Sequence, residues 1–590
     1  MQRFLVTTAD ERTWPKDRPI LFLGEWCRLY NRRHVWSKLD AIVADPYGVE
    51  IEQKTRDKAY LQALGDEMLD ELTSALNKFH CTKHSVRYWN IVLGHWLQRY
   101  IAVAFNRYYT IKAALEKYEV SGSMIFDLTR YSLATDDTLT FIWACSDDLW
   151  NYAFYSKILD FLGNLRLETD YGFQPGRGCF VKENEKNSQI VTLKKYIRNA
   201  AETILAVCSR KNDAFIANSF LSPIEEVKLQ IRLGQCPQLW QGQAPKYVSL
   251  DKDVRSSFSV DVKKYVGFER FVRLHLNDVI PVCYLEGYSQ LVRQGSVVSW
   301  PSKPRLIFTS NNFQSDEVFK VWTASKVEDG VPYFVGQHGN NYGTLLESPK
   351  WPELTTCDRF FTWGWSDEDS KCIPAFNFKT SGRGRLNWTA DGGLLLIELH
   401  PPHRFGPDDS YFEFGNYQKE QFRFVSALPT VIRKKLIVRL HSSYKEYSWC
   451  SEQRWRDFDK DVQIEDGTVE IWKSVALNRL IVHSYDSTGI LETLSLNVPT
   501  LCFWREGDNH LQRSAKPYYK LLRDAGIIAD TPEAAAEMVR LNWDGICEWW
   551  FSGKIQEARQ IFCDRYSKIE RYPAKRMKQL LIEYSDQRGA

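Results

Sequence analysis

No apolar run in the chain approaches the roughly 20 residues that a helix needs to cross a bilayer. The most apolar stretches, such as Gly392 to Leu399 and Thr138 to Cys145, are far shorter. No spanning helix is expected. The opening MQRFLVTTADERTW has neither the long apolar stretch nor the small-residue cleavage site of a secretory signal, so a cytoplasmic location is expected, with peripheral membrane contact left open. Neither sign of charge dominates: 77 Lys and Arg against 74 Asp and Glu leave +3 over 590 residues, and no global field draws the chain to nucleic acid. The 13 cysteines include no CxxC pair, which argues for reduced thiols and against a disulfide frame. The one cluster of soft ligands, His80, Cys81 and His84, lacks a second pair at zinc-finger spacing, and no metal site is expected. GxGxxG after Gly24, GxxxxGK[ST], HExxH and GxSxG are also missing. Classical dinucleotide, NTPase, zincin and serine-hydrolase readings therefore lose their main support, and no resident cofactor is expected.

What is present is an ordered globular composition, 44% hydrophobic, 26% charged and 14% aromatic. Pro19 to Gly24 (PILFLG) reads as a strand, and helical spacing follows from about Ile51 to Lys117, ending in the aromatic-rich run Tyr88 to Tyr109. That aromatic stripe reads as core before it reads as a ligand platform. A helix is expected over Thr138 to Leu162, then a strand at Ala214 to Phe220 with a helix start at Pro223. Arg305 to Gly339 reads as a βαβ unit, with strands RLIFTS and Val331 to Val335 around a helix at Asp316 to Asp329. A second α/β series follows: strands at Leu394 to Leu399, Leu436 to Leu440, Arg479 to His483 and Thr500 to Phe503, with a helix at Thr488 to Leu496. Two α/β lobes are implied, joined near Gly364 to Asn387. Helices from Glu533 to Gln587 close the chain.

Three segments carry candidate chemistry. In VGQHGNNYGTLLES, His338 sits on a tight strand-end loop between Gln337 and Gly339, with Gly343 beyond; it is either a proton-transfer group or a turn histidine. In RLIVHSYDSTGILETLSLNVPTLCFW, Ser484, Ser487, Thr488 and Gly489 lie between strand and helix, where hydroxyls and N–H groups converge on a phosphate or Ser487 simply caps the helix. Glu492, one turn in, could hold a ribose hydroxyl or point to solvent. KKLIVRLHSS delivers Arg439 and His441 near the same crevice, where a cation could neutralise a leaving phosphate. Glu398, leaving its strand before His400 and a Pro-Pro stop, reads as base, nucleophile or cap. Glu25 is a weaker candidate of the same kind.

In chain order, FLVTTADERTWPKDRPILFLGEWC, RLIFTSNNFQSDEVFK, VGQHGNNYG, DRFFTWGW and HSYDSTGILETLSLNVP resemble the bacterial O-antigen transferase family typed by a Leptospira protein, among the transferases of O-antigen and capsule genes. The likeness covers most of the chain. More distantly, the layout is similar to CDP-glycerol glycerophosphotransferases and to CMP-Kdo and CMP-sialic acid transferases of GT-B fold. The resemblance implies a GT-B-like α/β chain whose two Rossmann-like lobes face a cleft. Residues 1–365 would form the acceptor lobe, with a Trp/Tyr-rich helical insertion at about 50–200, and residues 385–590 the nucleotide-sugar lobe with terminal helices. The implied activity is metal-independent transfer of a sugar, Kdo or another nonulosonate among the candidates, from a CMP- or CDP-linked donor to a lipid-linked surface glycan. A peripheral site at the inner membrane would suit that acceptor. A CDP-glycerol- or ribitol-type polyol-phosphate transferase is the alternative, and a noncatalytic glycan-binding assembly protein is the reading from another class. Carried onto this sequence, His338 matches the His-Gly histidine, a candidate base, and Ser487 with Thr488 matches the hydroxyl pair on the nucleotide phosphate. His441 takes the place of an HP histidine but precedes Ser442 rather than Pro. No residue matches the Asp nucleophile of retaining Kdo transferases, and Glu398 stands there by position only.

Overall fold

The computed structural model describes residues 2–127, 131–170, 208–346, 351–384, 386–400, 410–445, 448–504 and 507–586. The 171–200 end of the expected insertion, the Pro401–Pro402 stop and Gln587 lie outside the described residues. The chain is α/β, and its described strands form three parallel sheets. The first takes β1 (Arg3–Val6), β2 (Ile20–Phe22), β3 (Ala41–Val43), β4 (Val120–Phe126) and β5 (Leu167–Asp170) in the order β3-β2-β1-β4-β5. The second runs β10-β9-β8-β7-β6, from β6 (Phe215–Ala217) through β7 (Ile307–Thr309), β8 (Tyr333–Gly336) and β9 (Arg359–Thr362) to β10 (Cys372–Pro374). The third comprises β11 (Gly393–Ile397), β12 (Leu436–Arg439), β13 (Gln463–Glu465), β14 (Asn478–His483), β15 (Thr500–Phe503) and β16 (Ile528–Ala529), ordered β13-β12-β11-β14-β15-β16.

Parallel strands are covered on both faces, so they read as continuous apolar runs. Along β11, Leu394 and Leu396 enter the core on one face and Leu395 the core on the other. Each such leucine contributes about 1.5–3 kcal/mol by leaving water. Where the sequence distinguishes two lobes, the chain before β11 carries two sheets, the second ending in β10 inside the stretch expected as the lobe junction. The first is hard to see in sequence because β1, β2 and β3 are three or four residues long, and a helical hairpin separates them from β4.

That hairpin consists of the helices Ile51–His80 and Val86–Lys117, of 30 and 32 residues. Tyr88, Trp89, Trp96 and Tyr100 of the second helix are fully buried, so the aromatic stripe is core. It packs on the helix Glu317–Glu328 of the second sheet and ties the first two sheets into one apolar core. The single helix expected over Thr138 to Leu162 is two, Thr138–Ala144 and Asp148–Leu162. Asp147 interrupts it by accepting a hydrogen bond from the Trp150 backbone N–H, an N-cap that starts a new helix. The last helix, Pro573–Asp586, returns to pack on Pro223–Arg232 beside the second sheet. Among the described residues, no helix is long and apolar enough to cross a membrane.

Candidate active site

Two loops leave the carboxyl ends of β8 and β14, the positions at which open α/β sheets bind ligands, and they touch. The first loop runs from Gln337 to Thr344. Gln337 is buried and fully bonded: its Nε2 donates to Gly339 O (2.8 Å), and its Oε1 accepts from Trp363 N (2.9 Å) and Trp365 Nε1 (2.8 Å). It therefore sets the loop's shape and leaves the chemistry to His338. Gly343 has φ +72°, and a Cβ there would lie 2.5 Å from the Trp365 ring. At Gly339 a Cβ would lie 2.9 Å from Thr488 Oγ1. The glycines thus permit the loop to turn and the second loop to approach.

The contact itself is polar. Asn340 N donates to Thr488 Oγ1 (3.0 Å), and Asn340 Nδ2 donates to Asp486 Oδ1 (2.8 Å). Asp486 also accepts from the Tyr519 hydroxyl (2.9 Å) and lies 3.1 Å from His510 Nε2. Nothing in the sequence singles out Asn340 or Asp486, because Asn and Asp in strand-end loops ordinarily mean only a turn.

His338 lies against Phe220 and Phe313, with ring centroids 6.4 and 5.9 Å away, and its Nδ1 is 3.3 Å from the Tyr342 hydroxyl. Burial, reinforced by the Lys379 cation, holds its pKa down to about 4, so the ring is neutral at physiological pH. Lys379 Nζ stands 3.3 Å from Glu492 Oε1 and 5.1 Å from the Phe220 ring centroid. Glu492 therefore steadies this cation. Phe220 has φ +61°, a strained conformation for a bulky residue and one that clusters at functional sites. Lys379 lies in the stretch that the sequence marks only as a polar junction.

On the second loop Ser487 caps the helix Thr488–Ser495 without a side-chain bond to it, and its Oγ is 3.5 Å from His483 Nδ1. Burial pushes His483 down to about 3. A Cβ on Gly489 would lie 2.7 Å from His483 Cε1, so glycine is needed for the imidazole to pack there. Ser484 Oγ meets the Tyr417 hydroxyl (2.7 Å) and donates to Ile397 O (3.2 Å), bridging β14 to β11 where the strand order reverses. A cleft of about 1430 Å³ opens there, lined by Tyr417, Ser484, Tyr485 and Trp504 on one side and by Tyr47 and Tyr118 from the first sheet's unit on the other.

The remaining candidates are engaged elsewhere. Arg439 ion-pairs with Glu465 and donates to Ser474 Oγ (2.9 Å) and Val469 O (2.7 Å), contacts that hold it on the outer strands instead of beside Ser487. His441 is exposed and stacks on His400 at 4.8 Å, and its Nδ1 accepts from Ser443 N. Glu398 is wholly buried, accepts from Trp455 Nε1 and from Ser451, and is pushed up to about 7 by burial. It anchors the helix Ser451–Phe458. Glu25 is tied to Arg28 by a two-point ion pair at 2.5 and 3.2 Å. His80 and His84 turn apart, toward Tyr284 O and Glu328, and no metal-binding group occurs among the described residues.

A family model described as LIC12162 family transferase matches residues 3–581. The chain belongs to this family of transferases. No curated protein matches it in sequence. Among solved structures, the wall teichoic acid polymerase TagF with CDPG aligns at 12% identity over 68% of this chain and 99% of that one, with TM-score 0.30. MurG of Acinetobacter baumannii aligns at 11% identity over 63% and 99%, with TM-score 0.32. A UDP-N-acetylglucosamine 2-epimerase aligns at 12% over 64% and 97%, also with TM-score 0.32. The architecture rests on the three parallel sheets themselves.

Proposed function

We propose that this transferase is a GT-B-type glycosyltransferase of bacterial surface-polysaccharide synthesis, moving a sugar from a cytidine-nucleotide donor to a lipid-linked glycan at the inner membrane. One observation carries the reading: the imidazole loop of β8 and the hydroxyl loop of β14 meet through Asn340 and Thr488, with Lys379 beside the imidazole. In this reading a proton acceptor, a cation and two hydroxyls share one crevice. Thr488 Oγ1 accepts from Asn340, which leaves its proton to donate to a phosphate oxygen. Ser487 stands at the start of the same helix, where helix polarity favours an anion.

In the proposed reaction the acceptor hydroxyl gives its proton to His338 Nε2 as its oxygen bonds to the sugar carbon. The bond to the nucleotide phosphate breaks, and Ser487, Thr488 and Lys379 hold the departing charge. Lys379 takes the part expected of Arg439, which Glu465 holds elsewhere. A bound phosphate offsets the Lys379 charge and raises the His338 pKa toward the range of an effective base. The crevice also suits polyol-phosphate transfer, because Lys379 and the hydroxyls recognise phosphate rather than sugar.

Mass spectrometry of the product tests the assignment, using CMP-Kdo, CMP-sialic acid and CDP-glycerol as donors and lipid-linked oligosaccharide as acceptor. Sugar transferred without phosphorus supports the glycosyltransferase, and a phosphodiester product supports the polyol-phosphate reading. Turnover unaffected by His338→Ala would remove the base from this account.

A further inference from the structure

Behind His338 lies a buried carboxylate that packing alone does not explain. The Tyr342 hydroxyl, 3.3 Å from His338 Nδ1, donates to Glu353 Oε1 at 2.5 Å. Glu353 is 2% exposed and sits on the short helix Pro352–Thr356. Its other oxygen is 3.3 Å from His95 Nε2, yet neither atom makes a hydrogen bond of good geometry. An ionisable group this deep is costly unless it is paired, and no Lys or Arg pairs with it among the described ion pairs.

The proton count along this chain fixes a direction. A tyrosine hydroxyl has one proton. If Tyr342 gives that proton to Glu353, it can only accept from His338, which puts the imidazole proton on Nδ1 and leaves the Nε2 lone pair open. We propose that Tyr342 and Glu353 are positioning residues that hold His338 in the Nδ1-protonated tautomer, so that Nε2 is the proton acceptor toward the crevice. This rests on the reading of His338 as the base. The bond at the other ring nitrogen commonly sets which nitrogen of a histidine reacts.

The surrounding charges fit this assignment. Lys379 on the crevice side opposes protonation of His338. His95, stacked on Phe313 at 5.3 Å, is itself held neutral by burial, with Lys320, Arg99 and His338 adding to the effect. Among the described residues, Tyr333 and Cys357 also interact with Glu353, and burial raises both and keeps them neutral. Burial pushes Glu353 itself up to about 7, so its ionisation and the tautomer bias strengthen together as the pH rises through neutrality.

The test reads the tautomer directly, without substrate. Protein labelled with 15N only at histidine, and assigned with His338→Gln, reports the two ring nitrogens by their chemical shifts. The expected result is Nδ1 protonated and Nε2 bare in the wild type, with a rise in the Nε2-protonated form in Tyr342→Phe. Glu353→Gln, which keeps the side-chain shape, is expected to act in the same direction and serves if Tyr342→Phe does not fold. With the donor that calorimetry identifies, either variant lowers kcat about tenfold with KM within twofold. A wild-type His338 protonated at Nε2, or a tautomer and kcat unchanged in both variants, overturns the relay. If His338→Ala abolishes turnover while both variants behave as wild type, only the relay fails. If His338→Ala keeps turnover, the base reading fails with it.

Discussion

Asp486→Asn isolates the polar contact that joins the two loops. The side chain keeps its shape, but one acceptor oxygen becomes an NH2 group facing donors. Asp486 serves the buried Tyr519 hydroxyl at 2.9 Å, Asn340 Nδ2 at 2.8 Å and His510 Nε2 at 3.1 Å. Hydrogen bonds to a charged acceptor contribute about 1.5–3 kcal/mol each, against about 0.5–1.5 for neutral ones. Weakening all three, with one donor left facing another donor, costs about 3 kcal/mol. For a unit of about 200 residues around the third sheet, that lowers the melting temperature by about 6–12 °C. Differential scanning calorimetry measures it. A double-mutant cycle with Asn340→Ala then isolates the link between the loops and should return a coupling of about 1 kcal/mol. Melting within about 1 °C of wild type, or strict additivity in the cycle, would refute the argument that Asp486 latches the loops.

Three further outcomes follow from the geometry. Gly339→Ala places a methyl 2.9 Å from Thr488 Oγ1, pushes the loops apart and weakens nucleotide binding about tenfold by titration calorimetry. Lys379→Met removes the cation beside His338, so nucleotide affinity falls about tenfold, while the His338 pKa, followed by NMR, rises. Burial pushes Glu398 up to about 7 from an ordinary 4.5; its contribution is complete below 4.5 and is lost as the pH rises through 7. Wild-type melting should therefore drop between about pH 4.5 and pH 7 more than that of Glu398→Gln, and level off above.

The strands that carry the site were readable because they are buried on both faces and end abruptly. RLIFTS, the strand at Val331 and RLIVH map onto β7, β8 and β14 within two or three residues, and Asp316 caps its helix through the Phe319 N–H as its position suggests. The meeting of His338's loop with Thr488 was inferable from two strand ends followed by glycine and hydroxyl residues. Lys379 was not, because a single lysine in a polar stretch carries no pattern, and only the fold brings it to Phe220 and His338. Arg439 misled for the converse reason: its strand delivers it to the sheet's carboxyl edge, but Glu465 on the neighbouring strand captures it. Glu398 and Glu353 show the same limit, since burial sets what a carboxylate can do and sequence spacing does not reveal it.

The central claim is that the loops at His338 and Ser487 form one nucleotide-donor site. Its most direct test is calorimetric titration of the full chain with CMP, CDP, UDP and GDP, with and without magnesium, beside the Ser487→Ala/Thr488→Ala double variant. The expected result is selective binding of a cytidine nucleotide that the double variant loses while its fold, checked by melting, persists. Absence of nucleotide binding, or equal binding by the double variant, would contradict it.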